Sequence, residues 1–298
     1  MGGLRPFLHL LLYSVIISCN SGSSRQNLEE QIGDLFAEGK GTFALAWKNL
    51  DNGDSLLLNA DTVFHAASTM KTPVMIEVFK QAQQGHFNLD DSLIVTNEFY
   101  SIVDSSTYSL SREDDSEGQL YNLIGSKTTI GDLIYRMIIR SSNLATNIII
   151  DLIDAKKVTQ TMRELGASKI EILRGVEDNK AYNLGLSNTT TARDLMRIYE
   201  QLASGDLVSS GANQRMIDIL LDQQFNDIIP AELPEEVKVA HKTGSITAIH
   251  HDSGIVFLPD DRKYVLVLLS KDLTDFDLGT RTMAKVSGLI YQYVISAK

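Results

Sequence analysis

Cysteine is almost absent. Cys19 is the only one among 298 residues, so no intramolecular disulfide can form. Histidine is sparse, at six. No His/Cys cluster has metal-ligand spacing, so a zinc mechanism is unsupported and no cofactor is expected. Basic residues are in deficit: 27 Lys and Arg against 38 Asp and Glu give a formal charge of -11. An acidic chain argues against a nucleic-acid partner and offers no basic face to anionic lipid. No internal repeat is evident. Long apolar runs are missing too, with one exception at the amino terminus.

The exception is the run from 7 to 18, preceded by Arg5. It is too short to span a bilayer comfortably and has the form of a signal-peptide core. It ends in Ile16-Ile17-Ser18-Cys19, where a small residue before cysteine resembles a bacterial lipoprotein cleavage box. The expectation is a signal peptide over 1–19, a lipid on Cys19 and a periplasmic, membrane-anchored protein. That anchor is the one expected membrane contact. An acyl chain contributes roughly 0.8 kcal/mol per buried CH₂. A flexible tether is expected over 20–26, where Asn20-Ser21-Gly22-Ser23-Ser24 is small and polar.

The rest has ordinary globular composition, 43% hydrophobic and 22% charged over the whole chain. Leu28, Ile32, Leu35 and Phe36 share one face of a helix over 26–37. Strands are expected at 42–47 and 55–58, with Asp51-Asn52-Gly53-Asp54 as the turn between them. A helix continues from Ser68 to about 84, and Gly85 stops it. Residues 97–127 are polar and irregular, and the charge run over 112–118 reads as a solvated face. Helical patterns follow at 128–139, 143–154 and 157–165. Thr191-Ala192-Arg193-Asp194 resembles a capping box for a helix with Leu195, Ile198, Tyr199 and Leu202 inward. Another helix covers 211–222. Strands return at 237–246, 253–258 and 264–270, with Asp260-Asp261-Arg262 turning the last pair, and a helix over 280–295 closes the chain. Both ends supply strands. The expected fold is an α/β (α+β) sandwich: one antiparallel five-stranded sheet flanked by the terminal helices. An all-helical subdomain (68–222) is inserted between sheet segments 27–67 and 223–298.

Three short stretches carry chemistry. In Ser68-Thr69-Met70-Lys71, a serine and a lysine three apart meet on one helical face. A serine alkoxide needs a nearby base, and a desolvated lysine can supply one. The free N–H groups of a helix start also favour developing negative charge. Ser141-Ser142-Asn143 precedes an apolar helix, and Lys242-Thr243-Gly244-Ser245 lies within a strand pattern. Each alone has an ordinary reading, as an N-cap cluster or a glycine bulge. Together, Ser-x-x-Lys, Ser-x-Asn and Lys-Thr-Gly in this order resemble the active-site set of class A β-lactamases and related penicillin-binding proteins.

The resemblance covers about 27–298 and implies roles. Ser68 would attack a lactam carbonyl and Lys71 would help remove its proton. Ser141 would pass a proton to the leaving nitrogen, with Lys242 beside it. Asn143 would hold Lys71 and the substrate's side-chain amide. The N–H groups of Ser68 and Ser245 would form the oxyanion hole. Thr243, Gly244 and Ser245 would bind the substrate, whose carboxylate the hydroxyls receive. Glu177 would activate the deacylating water, with adjacent Asp178 as the alternative. The chain departs from the family pattern at Glu177, which no Leu-Asn follows, and in a loop about two residues short. It departs again at Asn188 and Ser253, near an expected aspartate and arginine, and at Ser142 in the middle of the second motif. His250-His251 reads as surface or structural. The expectation is a monomeric serine β-lactamase of class A type acting on a small-molecule β-lactam through a Ser68 acyl-enzyme. The alternatives are a D-Ala-D-Ala peptidase or esterase of the same family, or a lactam-binding sensor.

Overall fold

The computed structural model describes residues 21–296. The expected signal peptide and Cys19 lie outside the described residues. Helix α1 (Ser21–Glu38) occupies most of the stretch expected as a tether. Strands β1 (Thr42–Asn49) and β2 (Ser55–Leu58) follow, then β3 (Phe64–His65), a 3₁₀ turn over Ala67–Met70 and α2 (Lys71–Gln83). Two small antiparallel pairs come next: β4 (Ser92–Ile94) with β7 (Lys127–Thr129), enclosing β5 (Phe99–Tyr100) with β6 (Thr107–Tyr108). Helices α3 (Ile130–Ile139), α4 (Asn143–Ile153), α5 (Ala155–Glu164) and the short α6 (Asn179–Asn183) lead to β8 (Thr189–Thr190). Then come α7 (Ala192–Ser204), α8 (Ser210–Leu221), β9 (Lys238–Ile246), β10 (Ile249–Phe257), β11 (Lys263–Lys271) and α9 (Phe276–Ser296).

The main sheet has the order β2-β1-β11-β10-β9, antiparallel throughout. Side chains alternate between its faces, so a single register assigns both cores. Leu45 pairs with Leu268 and Ala46 with Val267. Phe43, Leu45 and Trp47 of β1 join Leu266 and Leu268 of β11 on the outer face, under Ile32 of α1 and Met283, Val286 and Ile290 of α9. Ala44, Ala46, Val265, Val267 and Leu269 take the inner face with Leu195, Ile198 and Tyr199 of α7. Small alanines on β1 leave room there for α7. Each large aliphatic side chain so buried contributes roughly 1.5–3 kcal/mol relative to exposure. Helix α4 is the hub of the helical part: Leu144 to Ile150 are buried without interruption.

The structure agrees with the expected five-stranded sheet and terminal helices and corrects details: the insert over 68–222 is not all-helical but carries the five short strands β4 to β8 beside its helices. Strand β10 starts at Ile249, ahead of the expected 253. His250, His251 and Asp252 hid it, because a polar run does not look like a buried strand. Their side chains are hydrogen-bonded, which makes burial affordable. Helix α9 starts at Phe276, not 280, and α5 at Ala155, not 157. The charge run over 112–118 is not simply solvated. Asp115 and Glu117 within it are buried.

Candidate active site

Ser68 lies on the 3₁₀ turn that leads into α2, and Lys71 is the first residue of that helix. Ala67, just before the serine, has φ of 44°, a conformation that costs a non-glycine residue of order 1–3 kcal/mol. The turn is pinned by Thr69, whose N–H and hydroxyl both donate to the Ala66 carbonyl. Ser68 is partly exposed and Lys71 is fully buried. Strand β9 runs against this turn. A Cβ on Gly244 would sit 3.0 Å from the backbone nitrogens of both Ser68 and Thr69, so a side chain there would press the turn away from the strand. Ser68 and Ser245 therefore line one cleft.

The lysines converge on Ser141. Lys71 Nζ donates to Ser141 O at 2.7 Å, Ser141 Oγ at 3.1 Å and Asn143 Oδ1 at 3.0 Å. Lys242 Nζ donates to the same Ser141 Oγ at 3.2 Å and to Thr243 O at 2.9 Å. Burial pulls the Lys71 amine down to about 7, against the opposing charges of Asp115 and Glu177. Burial, and then the charge of Lys71, holds Lys242 well below the usual lysine range. Two buried ammonium groups sharing one hydroxyl favour deprotonation of one of them. Ser141 carries φ of 54°, which aims it between the two. Ser142 turns inward and caps α4 through Ala145 N–H.

Glu177 completes the set. Its Oε1 accepts from Asn143 Nδ2 at 2.8 Å, so Asn143 bridges Lys71 and Glu177. Burial raises the Glu177 carboxyl, with the charges of Asp115 and Asp114 acting in the same direction. Its backbone is at φ of 62°. Asp178 is committed elsewhere. It is buried and accepts from Ser101 Oγ, Ile102 N–H and Ala181 N–H, so it ties β5–β6 to α6. The loop reaches this register through Asn147, which receives Val176 N–H and donates to Val176 O. Gly175 is required at the crossing, since a Cβ there would lie 2.3 Å from Asn147 Oδ1.

The departures from the family pattern have structural accounts. Asn188 accepts from Leu173 and Arg174 N–H and donates to Arg174 O, so a neutral amide closes the loop's neck. The Arg174 side chain spends its donors on Leu186 O and Gly175 O. Ser253 points to the helical side of the sheet, towards Tyr199 and Lys242 O, away from the cleft. His251 is structural: its Nε2 donates to His65 O and its Nδ1 accepts from Ser270 N–H. His250 was read the same way, yet it lines the cleft. Sequence reasoning also missed Asp115, which accepts from Asn143 N–H, Leu144 N–H and Tyr121 OH at the start of α4. Its signal was there: an acidic residue within a loop that must return to a helix N-terminus.

Ser68 stands where two openings meet. One, of about 350 Å³, holds Ser141, Thr243, Ser245, His250 and Asp227; the other, of about 500 Å³, holds Glu177, Asn143, Tyr182 and Ile246. Among the described residues no group of three His, Cys, Asp or Glu is placed to hold a metal ion.

The sequence matches the beta-lactamase enzyme family (Beta-lactamase2) over residues 27–294. The chain belongs to that family. Within it, the chain is 25% identical over 300 residues to a beta-lactamase from Bacteroides uniformis, covering 95% of this chain and 96% of that protein. It is 24% identical over 251 residues to beta-lactamase CARB-3 of Pseudomonas aeruginosa, covering 80% and 82%. Among solved structures, PBP-A superposes with a TM-score of 0.78 at 29% identity, covering 91% of this chain and 96% of that one. A beta-lactamase from Chitinophaga pinensis superposes at 0.79 with 22% identity, over 90% and 99%, a likeness of fold. The family member described here is a serine hydrolase of class A type.

Proposed function

We propose that this enzyme hydrolyses β-lactams by acylating and then deacylating Ser68. One observation carries the reading: Asn143 joins the acylation lysine to the loop glutamate, which lines the same opening as Ser68. Lys71, its amine drawn down to about 7 and so partly neutral at that pH, takes the Ser68 proton directly or through Ser141. Ser68 Oγ bonds to the lactam carbonyl carbon, and the oxygen that becomes negative is met by the N–H groups of Ser68 and Ser245. Each such donor is worth roughly a hundred- to a thousand-fold in rate. Ser141 Oγ hands a proton to the departing nitrogen, resupplied across its contacts with both lysines. Glu177 then removes a proton from water attacking the acyl carbonyl, and Ser68 leaves with that proton returned to it. The raised carboxyl of Glu177 suits a base that works near neutrality.

Steady-state turnover of a chromogenic cephalosporin, together with intact-mass analysis, tests this. Multiple turnovers are expected, with a transient penicilloyl adduct that Ser68→Ala abolishes. A permanent adduct without turnover would move the protein to the peptidase reading if it cleaves an acyl-D-Ala-D-Ala peptide, and to the lactam-binding reading if it does not. No adduct at all, with cleavage of an ester, would move it to the esterase reading.

Residues 1–19 support a further proposal: export as a lipoprotein, with Cys19 acylated and a monomeric catalytic domain held at a periplasmic membrane surface. The short apolar run and the Ser18-Cys19 junction are its grounds. In a bacterial host the wild type should partition into detergent and Cys19→Ser should not. Equal release of both into the soluble fraction would remove the anchor.

A further inference from the structure

His250 is held at the cleft by contacts the acylation chemistry does not use. It stands opposite Ser245 in the β9–β10 ladder. Directly opposed residues of an antiparallel pair share a face, so His250 lies on the face of Ser245 and Thr243. All three line the opening beside Ser68. The imidazole stacks on Phe276 of α9, with centroids 4.8 Å apart and planes inclined by 18°. Nδ1 lies 2.8 Å from Thr280 Oγ1. The Thr280 hydroxyl also reaches Phe276 O at 3.0 Å, and when it donates there it accepts from His250 Nδ1–H, the tautomer that leaves Nε2 unprotonated in the neutral ring. Nε2 offers a lone pair when the ring is neutral and a donor when it is charged.

Among the described residues no lysine or arginine side chain lines this opening, while Asp114 and Asp227 do. We infer that His250 is a specificity-determining contact for an anionic group of the substrate, received beside Thr243 and Ser245 and held more tightly when the imidazole is protonated. The inference rests on the lactam reading, in which that group is the carboxylate next to the ring nitrogen.

The groups around the imidazole set the direction of its pH response. Burial lowers its basicity, and Asp252 on its own strand and Asp227 on the loop after α8 oppose that. Strand β9 contributes Lys242 behind Thr243, and β10 contributes neighbouring His251. Strand β11 and α9 present uncharged Ser270, Phe276 and Thr280. The cation therefore forms on the acid side of the usual histidine range, and affinity for an anion rises as pH falls. Lys242 drives the same trend, because its own charge also grows with acid.

Rates of Ser68 acylation by benzylpenicillin and by its methyl ester separate these effects. Lys71 and Ser141 act on both compounds, so the acid-to-ester ratio cancels them. In wild type that ratio should climb between pH 8 and pH 5. In His250→Gln it should drop by roughly tenfold at pH 5, the scale of one hydrogen bond to a charged group, and keep only the slope due to Lys242. His250→Arg should restore the ratio and flatten its dependence on pH. Equal slowing of acid and ester in His250→Gln, or a ratio identical in all three proteins, would overturn the inference while leaving lactam hydrolysis intact. Failure of both compounds to acylate wild type would overturn the lactam reading and the inference together.

Discussion

Lys71 and Lys242, brought from α2 and β9, place their ammonium nitrogens 3.1 and 3.2 Å from one oxygen, Ser141 Oγ. Both lysines are fully buried. Two positive charges at that spacing in a dry site repel strongly, and giving up one proton relieves them. The arrangement thus makes a base from a residue type that is ordinarily protonated. It also makes the titration a property of the pair.

This predicts the pH dependence of acylation. Lys71 must be neutral to accept the Ser68 proton, and its amine is drawn down to about 7. The rate of adduct formation should therefore rise from acid pH and level off above neutrality, with a midpoint near pH 7. Lys71→Ala should lose the limb and slow acylation by roughly a hundred-fold or more. Stopped-flow acylation rates across pH 5–9 give the profile. A flat profile in wild type would remove Lys71 as the base.

Glu177 and Asp178 are adjacent, yet the fold gives them different tasks. Glu177→Gln should leave acylation near wild type and prolong the Ser68 adduct, lowering turnover by roughly a hundred-fold. Asp178→Asn should act through the loop. It loses an acceptor shared by Ser101, Ile102 and Ala181, so the protein should be destabilised by about 1–3 kcal/mol. Adduct lifetime by intact mass and urea unfolding separate the two. A long-lived adduct in Asp178→Asn with normal stability would reverse the assignment.

Much of this was legible from residues alone. The sheet announced itself through apolar runs at both ends, and the three motifs through residue type and order. Glu177 could be placed by distance although the pattern after it was broken, because its position depends on Gly175 and Asn147, not on the missing Leu-Asn. What stayed hidden were buried polar residues. Asp115 and Glu117 look like surface charge, since sequence does not reveal that Asn143, Leu144 and Arg136 wait for them across the loop. His250 and Asp252 looked like a loop for the same reason. A polar residue in a strand becomes interpretable only when its partner, distant in sequence, is known.

Asp115 supplies a test of how charge outside the motifs tunes the site. It accepts from the N–H groups of Asn143 and Leu144 at the start of α4 and so holds Asn143 in place. Its charge also raises the Lys71 amine, opposing burial. Asp115→Asn should therefore shift the acylation midpoint to lower pH, because the neutral lysine becomes easier to form. It should also cost about 1–3 kcal/mol of stability, as an amide cannot accept from as many donors. An unchanged midpoint, with the protein folded, would show that Lys71 does not feel this charge.

Gly175 tests the loop most directly. The glycine has no side chain because Asn147 occupies the space: an added Cβ would stand 2.3 Å from Asn147 Oδ1 and 2.8 Å from its Cγ. That amide is itself fixed by Val176 on both its donor and acceptor sides, so it cannot swing away without releasing the loop. Gly175→Ala must therefore push Val176, and with it Glu177, out of register. Overpacking of this kind costs roughly 1–3 kcal/mol. Ser68, Lys71 and Ser141 belong to other elements and should keep their positions. Acylation should stay near wild type while deacylation falls, which a lengthened adduct lifetime would record. Gly175→Ala paired with Asn147→Gly removes the obstructing side chain and should relieve the strain, though the clamp on Val176 is lost with it. The double variant should therefore be more stable than Gly175→Ala alone, yet still deacylate slowly. If Gly175→Ala instead deacylates at the wild-type rate, the seating of the loop on Asn147 is not what holds Glu177 in place.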